Sequence, residues 1–184
     1  MHVYLSSIAQ LSNKSNQFNL TTRRYTRNEI EEISNSEDYI DLYGKLIDKF
    51  GDNGVVRVVI GHKQEDILNV DLWIMSCRVL KRDMEFAMMD ELVSQAKEAG
   101  IKTIKGYYYP TAKNTMVTEF YSLMGFTKIS EDQQGNTVWT YEVPHEYNKN
   151  NEAIKVQFVI VLLHSSNLIK SIFVWIFYSF KRST

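Results

Sequence analysis

A single cysteine, Cys77, stands in a chain of 184 residues. One thiol excludes an internal disulfide framework and fits a reducing cytosol. It also excludes a cysteine-based zinc site, and the four histidines, His2, His62, His145 and His164, show no metal-ligand spacing. Charge of one sign is missing too. The formal net charge is −1, so no global field draws nucleic acid or an acidic membrane. The N-terminus lacks the basic-then-apolar pattern of a secretory signal. What remains is ordinary globular composition, with a length that suits one domain with a core of its own rather than two.

Leu5, Ile8 and Leu11 share one face of a predicted helix. Thr26 followed by Glu29 is a capping-box signature and predicts a second helix starting at Arg27. From Tyr39 the period changes. The stretches YIDLYGKLI, VVRVVIG and ILNVDLWIMS read as three strands of an antiparallel meander, with a turn at Gly51–Gly54 and a second at HKQED. In the third strand Leu68, Val70, Leu72 and Ile74 alternate with Asn69, Asp71, Trp73 and Met75. A stripe of Met88, Met89, Leu92, Val93 and Ala96 predicts the longest helix, with Asp83 as N-cap and Gly100 just past its end. IKTIKGYYY is the next strand, ended by Pro110.

NTMVTEFYSLMGF, from Asn114 to Phe126, follows as a helix that buries Val117, Phe120, Tyr121 and Met124. TKIS and TVWTYEV close the body as a hairpin. This order predicts an α+β layer arrangement, a mixed and mostly antiparallel sheet flanked by helices. Beyond NKNNE the chain is strongly apolar but interrupted by His164, Ser165, Ser166, Asn167 and Lys170. A bilayer span wants about 20 mostly apolar residues, and the polar break sits where polarity costs most. The tail therefore reads as a docking helix or an artefactual extension, ahead of membrane contact.

Strand, polar turn, helix, strand and an Asn-headed helix ending in Tyr-x-x-x-Gly-Phe resemble the GNAT acetyltransferase superfamily, over about Ile67 to Phe126. The resemblance implies that ILNVDLWIMS and KTIKGYYY part to admit the acyl-thioester arm of coenzyme A. It implies that Asn114 contacts that arm and that Tyr121 protonates the departing thiolate. It puts the thioester cradle at Ser76, Cys77, Arg78 and Val79, with Lys81 and Arg82 near the phosphates at the helix start. Backbone N–H groups can stabilise an oxyanion, and a phenol can donate a proton. Plainer roles stay open. Tyr121 lies on the Val117–Phe120 stripe and suits a packed core; Asn114 suits a cap. Asp71 could be a general base or a solvated strand carboxylate, and Cys77 a small core residue.

A second resemblance is to FkbH-like proteins, carried by IAQLSNKSNQFNLTTRRYT, FGDNG, SCRVLKR and PTAKN. It implies a segment, 1–25, that follows a haloacid-dehalogenase-type (HAD) domain, a GNAT-like domain over 26–147, and a linker with an apolar tail over 148–184. It also implies an acyl carrier protein, or a HAD-type partner domain, as partner. The Asp-x-Asp motif of the phosphoryl-handling half is absent, so phosphatase or glyceryl-transfer activity is not expected of this chain, which would then be a truncated gene product. One departure matters. The two glycines of the usual pyrophosphate turn correspond to about Asp83 and Glu85, and an acidic residue at a helix start competes with a phosphate. The co-substrate is then acetyl-CoA or an acyl-phosphopantetheine, the acceptor a small molecule with an amine or alcohol, and the competing reading a non-catalytic carrier-protein docking module.

Overall fold

In the computed structural model the described residues are 2–48, 51–77, 84–151, 154–160 and 172–178. Helix α1 (His2–Lys14) and α2 (Arg27–Asn35) precede strands β1 (Tyr39–Asp48), β2 (Gly51–Gln64) and β3 (Ile67–Met75). Helix α3 (Met84–Glu98), strand β4 (Thr103–Tyr108), a 3-10 turn (Thr115–Val117) and the single-turn α4 (Phe120–Leu123) come next. Strands β5 (Thr127–Glu131), β6 (Thr137–Glu142), β7 (Ile154–Ile160) and β8 (Ile172–Tyr178) complete the chain.

The strands form one sheet in the order β5-β6-β4-β3-β2-β1-β8-β7. The β3–β4 and β1–β8 neighbours are parallel and the others antiparallel, which is the expected mixed, mostly antiparallel α+β sheet. One face packs α1 and α2 through Leu5, Ile8, Ile30 and Ile33 against Tyr43, Val58, Leu72 and Ile74. The other packs α3 and the Phe120–Phe126 region against Val59, Leu68, Trp73 and Ile104. Residues 1–25 thus contribute α1 to this core.

Local signals fixed several ends. Thr26 and Glu29 make the reciprocal capping box. Gly100 takes φ +74° past α3, where its N–H reaches Lys97 C=O at 3.1 Å and the Ile101 N–H reaches Ala96 C=O at 2.9 Å. Gly125, at φ +83°, does the same: its N–H meets Ser122 C=O, and Phe126 N–H meets Tyr121 C=O at 2.9 Å. Both are Schellman ends, which need a residue that tolerates the left-handed region. The Gly-Phe pair is therefore a helix stop followed by a buried ring.

Four expectations are corrected. Gly51–Gly54 is part of β2 rather than a turn: Gly51 pairs with Asp48, and Gly54, at φ +68°, falls at the register shift between Lys45 and Ile47, where the left-handed region makes a bulge. The Asn114–Phe126 helix is broken into a 3-10 turn and one α turn, since Thr115, Val117 and Thr118 are β-branched. The apolar tail contains strands β7 and β8, paired with each other and, through β8, with β1, instead of a docking helix. No helix among the described residues is long and apolar enough to cross a membrane. Finally, the alternation in β3 switches face. Ile60 pairs with Leu72 but Gly61 with Val70, so Asp71 is an extra residue, a bulge. Trp73 and Met75 consequently join the α3 side and are fully buried.

Candidate active site

Strands β3 and β4 share only three parallel pairs, Ile67 with Thr103, Leu68 with Ile104 and Asn69 with Lys105. Beyond them the two strands part, as expected. Tyr121 reaches this opening from α4. It lies under Gly106, whose missing Cβ leaves room for the ring, and it packs on Phe126 and Trp139. Its hydroxyl accepts the Tyr107 backbone N–H at 3.3 Å. That bond leaves the phenol's own proton to give. Burial pushes the Tyr121 hydroxyl pKa well up, against the Tyr107 N–H, which lowers it; the group is a protonated phenol at neutral pH.

The opening is not empty. Residues 15–21 run along the free edge of β3. Ser15 Oγ donates to Met75 C=O at 2.7 Å, and Met75 N–H donates to Phe18 C=O at 3.0 Å. Leu20 N–H donates to Trp73 C=O at 3.2 Å, and Tyr109 N–H donates to Leu20 C=O at 2.9 Å. Thr21 Oγ1 donates to Asp71 C=O at 2.7 Å. Leu20 therefore bridges both strands, and with Phe18 it is buried in the main core. Two such side chains contribute roughly 1.5–3 kcal/mol each.

Asn114 is fully buried and holds this segment down. Its Nδ2 donates to Asn19 C=O at 2.9 Å and to Tyr109 C=O at 3.0 Å, while Oδ1 accepts the Thr111 N–H at 2.7 Å. It sits at the start of the 3-10 turn without a side-chain capping bond, so the expected cap is corrected to a bridge between β4 and the inserted segment. Ser76 is buried with its N–H on Val56 C=O at 2.8 Å. Cys77, expected as a small core residue, is instead exposed, on the rim of a groove of about 530 Å³ with Lys14, Ser15, Gln17 and Lys113. Arg78, Val79, Lys81, Arg82 and Asp83 lie outside the described residues.

On the opposite face an open groove of about 630 Å³ is lined by Thr21, Arg23, His62, Asn69, Asp71, Tyr107 and Tyr109. The bulge places the Asp71 carboxylate here, 2.9 Å from Arg23. Burial raises its pKa, and Arg23 opposes the rise. Tyr107 joins the groove to the slot: its hydroxyl donates to Asn69 Oδ1 at 2.8 Å across the parted strands, and its amide meets Tyr121. Local periodicity missed Arg57. Its guanidinium is wholly buried beneath the start of α3, paired with Glu85 at 3.0 Å. Burial pushes it down to about 10, with Glu85 opposing, so it stays charged at neutral pH. Among the described residues its Nε and Nη1 have no hydrogen-bond partner. The Glu85 carboxylate is spent on this buried cation rather than facing an empty helix start. No group of metal-ligating side chains exists among the described residues.

This mixed, mostly antiparallel sheet flanked by helices is the GNAT acetyltransferase fold. The chain is similar to the ribosomal-protein-S18-alanine N-acetyltransferase of Escherichia coli, with 10% identity over 82% of this chain and 94% of that one, at a TM-score of 0.54. It is similar to Ard1 of Thermoplasma volcanium, with 16% identity over 79% and 95% and a TM-score of 0.56. The Rv2747 protein of Mycobacterium tuberculosis, solved in complex with CoA, matches with 13% identity over 78% and 96%, also at 0.56. At these identities the likeness is one of fold. No protein-family model and no curated protein sequence matches the chain.

Proposed function

We propose that this domain moves an acyl group from a pantetheine thioester, acetyl-CoA or an acyl carrier protein, to an amine or alcohol. The observation that carries the reading is the Tyr121 hydroxyl held on the Tyr107 N–H where β3 and β4 part. The acceptor enters the Asp71 groove and attacks the thioester carbonyl. The C–S bond breaks, the thiolate takes the Tyr121 proton, and Asp71 takes the acceptor's proton. A phenol is ordinarily a weaker acid than a thiol. Burial raises the Tyr121 pKa and raises that of a thiolate expelled into the same apolar slot as well, so the transfer depends on the thiolate being desolvated the more strongly of the two. Asp71, with its raised pKa, is closer to the working range of a base than an exposed aspartate.

A second reading has a specific observation behind it. The free edge of β3 is already hydrogen-bonded to residues 15–21, and Glu85 is committed to Arg57. Both fit a docking module that recognises a carrier protein or a HAD-type partner without catalysis. The FkbH-like context belongs here, with the segment preceding α2 as the join to such a partner. Calorimetric titration separates the two. Heat and thiol release with acetyl-CoA support transfer; heat with a phosphopantetheinylated carrier protein alone supports docking; heat with neither removes the pantetheine reading.

A further inference from the structure

We infer that Phe18–Thr21 is a displaceable plug, an internal occupant of the slot that competes with the incoming pantetheine arm. The inference rests on the pantetheine reading of that slot. The plug holds the slot through main-chain groups at Trp73, Met75 and Tyr109, which any extended chain with amides on both edges can satisfy. It is not a full strand: its one ladder contact is an isolated bridge between Asn19 and Ile74.

Two features mark the plugged state as incomplete. The Trp73 Nε1–H, in a fully buried side chain of the core cluster that holds Phe18 and Leu20, has no acceptor among the described residues; apolar plug side chains cannot provide one. Directly after the plug, Thr22 takes φ +59°, a left-handed conformation that a β-branched residue rarely adopts. Asn19 holds that turn, accepting the Thr22 N–H at 2.9 Å and donating to Arg23 C=O at 3.3 Å. Strain of this kind collects at clamps and switches. Opening the plug releases it, and frees the Asp71 main-chain carbonyl from the Thr21 hydroxyl on the groove side.

The test uses the whole chain. In the wild type, amide hydrogen exchange at Leu20, Met75 and Tyr109 is measured against the β2–β3 ladder. Acetyl-CoA affinity is then compared for wild type, Leu20→Ala and Thr22→Gly. A plug gives the three amides one common protection, below that of the ladder. Leu20→Ala, which loosens it, binds acetyl-CoA at least tenfold more tightly. Thr22→Gly, which relieves the strain of the closed state, binds at least threefold more weakly. Exchange of the three amides only through global unfolding overturns the plug, even if Leu20→Ala fails to fold. A local opening with no acetyl-CoA binding by a folded Leu20→Ala leaves a mobile segment but overturns pantetheine as its competitor, and the transfer reading with it.

Discussion

Gly106 and Tyr121 are in close contact: a Cβ on Gly106 would lie less than 3.0 Å from a carbon of the Tyr121 ring. The ring is buried and packed on Phe126 and Trp139, which crowd its displacement. Gly106→Ala is therefore expected to destabilise the fold by about 1–3 kcal/mol, the usual cost of overpacking. Urea denaturation reads this directly. Wild-type stability in the variant would mean that the ring does not sit there.

Tyr121→Phe keeps the ring and removes the hydroxyl. The lost bond to the Tyr107 N–H is worth about 0.5–1.5 kcal/mol. If the phenol is the acid, turnover with an acyl-thioester falls about 10²–10⁴-fold while stability falls by no more than that bond is worth. Unchanged turnover would return Tyr121 to the core.

Asp71 gives a pH signature. Burial raises its folded pKa above the ordinary 3.8, with Arg23 pulling the other way. The protonated form is thus favoured in the folded state. That stabilisation is fully present below the ordinary value and is lost as pH rises through the raised one. Asp71→Asn is expected to be more stable than wild type at neutral pH, with the gap closing in acid, and to lose transfer activity. Melting temperatures between pH 3 and pH 8, both chains side by side, would show the convergence or its absence.

Arg57 and Glu85 are unequal partners. Removing the carboxylate strands a fully buried cation, which costs about 3–5 kcal/mol. Removing both charges is far milder. Glu85→Gln should therefore unfold at much lower denaturant than Arg57→Met/Glu85→Gln. Equal midpoints would show the pair to be unimportant.

Asp90, on α3, latches the polar stretch that follows β6. Its carboxylate accepts the Tyr147 hydroxyl at 2.6 Å and the N–H groups of Asn150 and Asn151 at 2.9 Å each. Asp90→Ala is expected to cost about 1.5–3 kcal/mol, and to speed amide exchange at Asn150 and Asn151. Unaltered exchange there would contradict the latch.

The parts of this fold legible in sequence are those set by neighbours along the chain. The Thr26–Glu29 box, the stops at Gly100 and Gly125, the β-branched run of β2 and the α3 stripe all follow from local chemistry. What escaped depends on distant backbone. The Asp71 bulge is a property of pairing with β2, and it reverses the face of Trp73 without any mark in the alternation. Phe18 and Leu20 look like part of a polar connection, yet their main-chain groups meet β3 and β4 more than fifty positions downstream. Asn114 was recognisable as special, but its bond to Asn19 was not, because nothing in a helix-start pattern encodes an acceptor ninety-five residues upstream.

The Leu20 bridge also decides where the molecule is vulnerable. Its N–H belongs to one half of the sheet and its carbonyl to the other, so one peptide unit stitches the halves together at their open end. A protease cut between Asn19 and Arg23 would unpick that stitch. Among the described residues the β3 and β4 edges would then be held by the rungs from Ile67–Asn69 to Thr103–Lys105, the Asp66 carbonyl below them and the Tyr107–Asn69 bond above, and the wedge between them would gape.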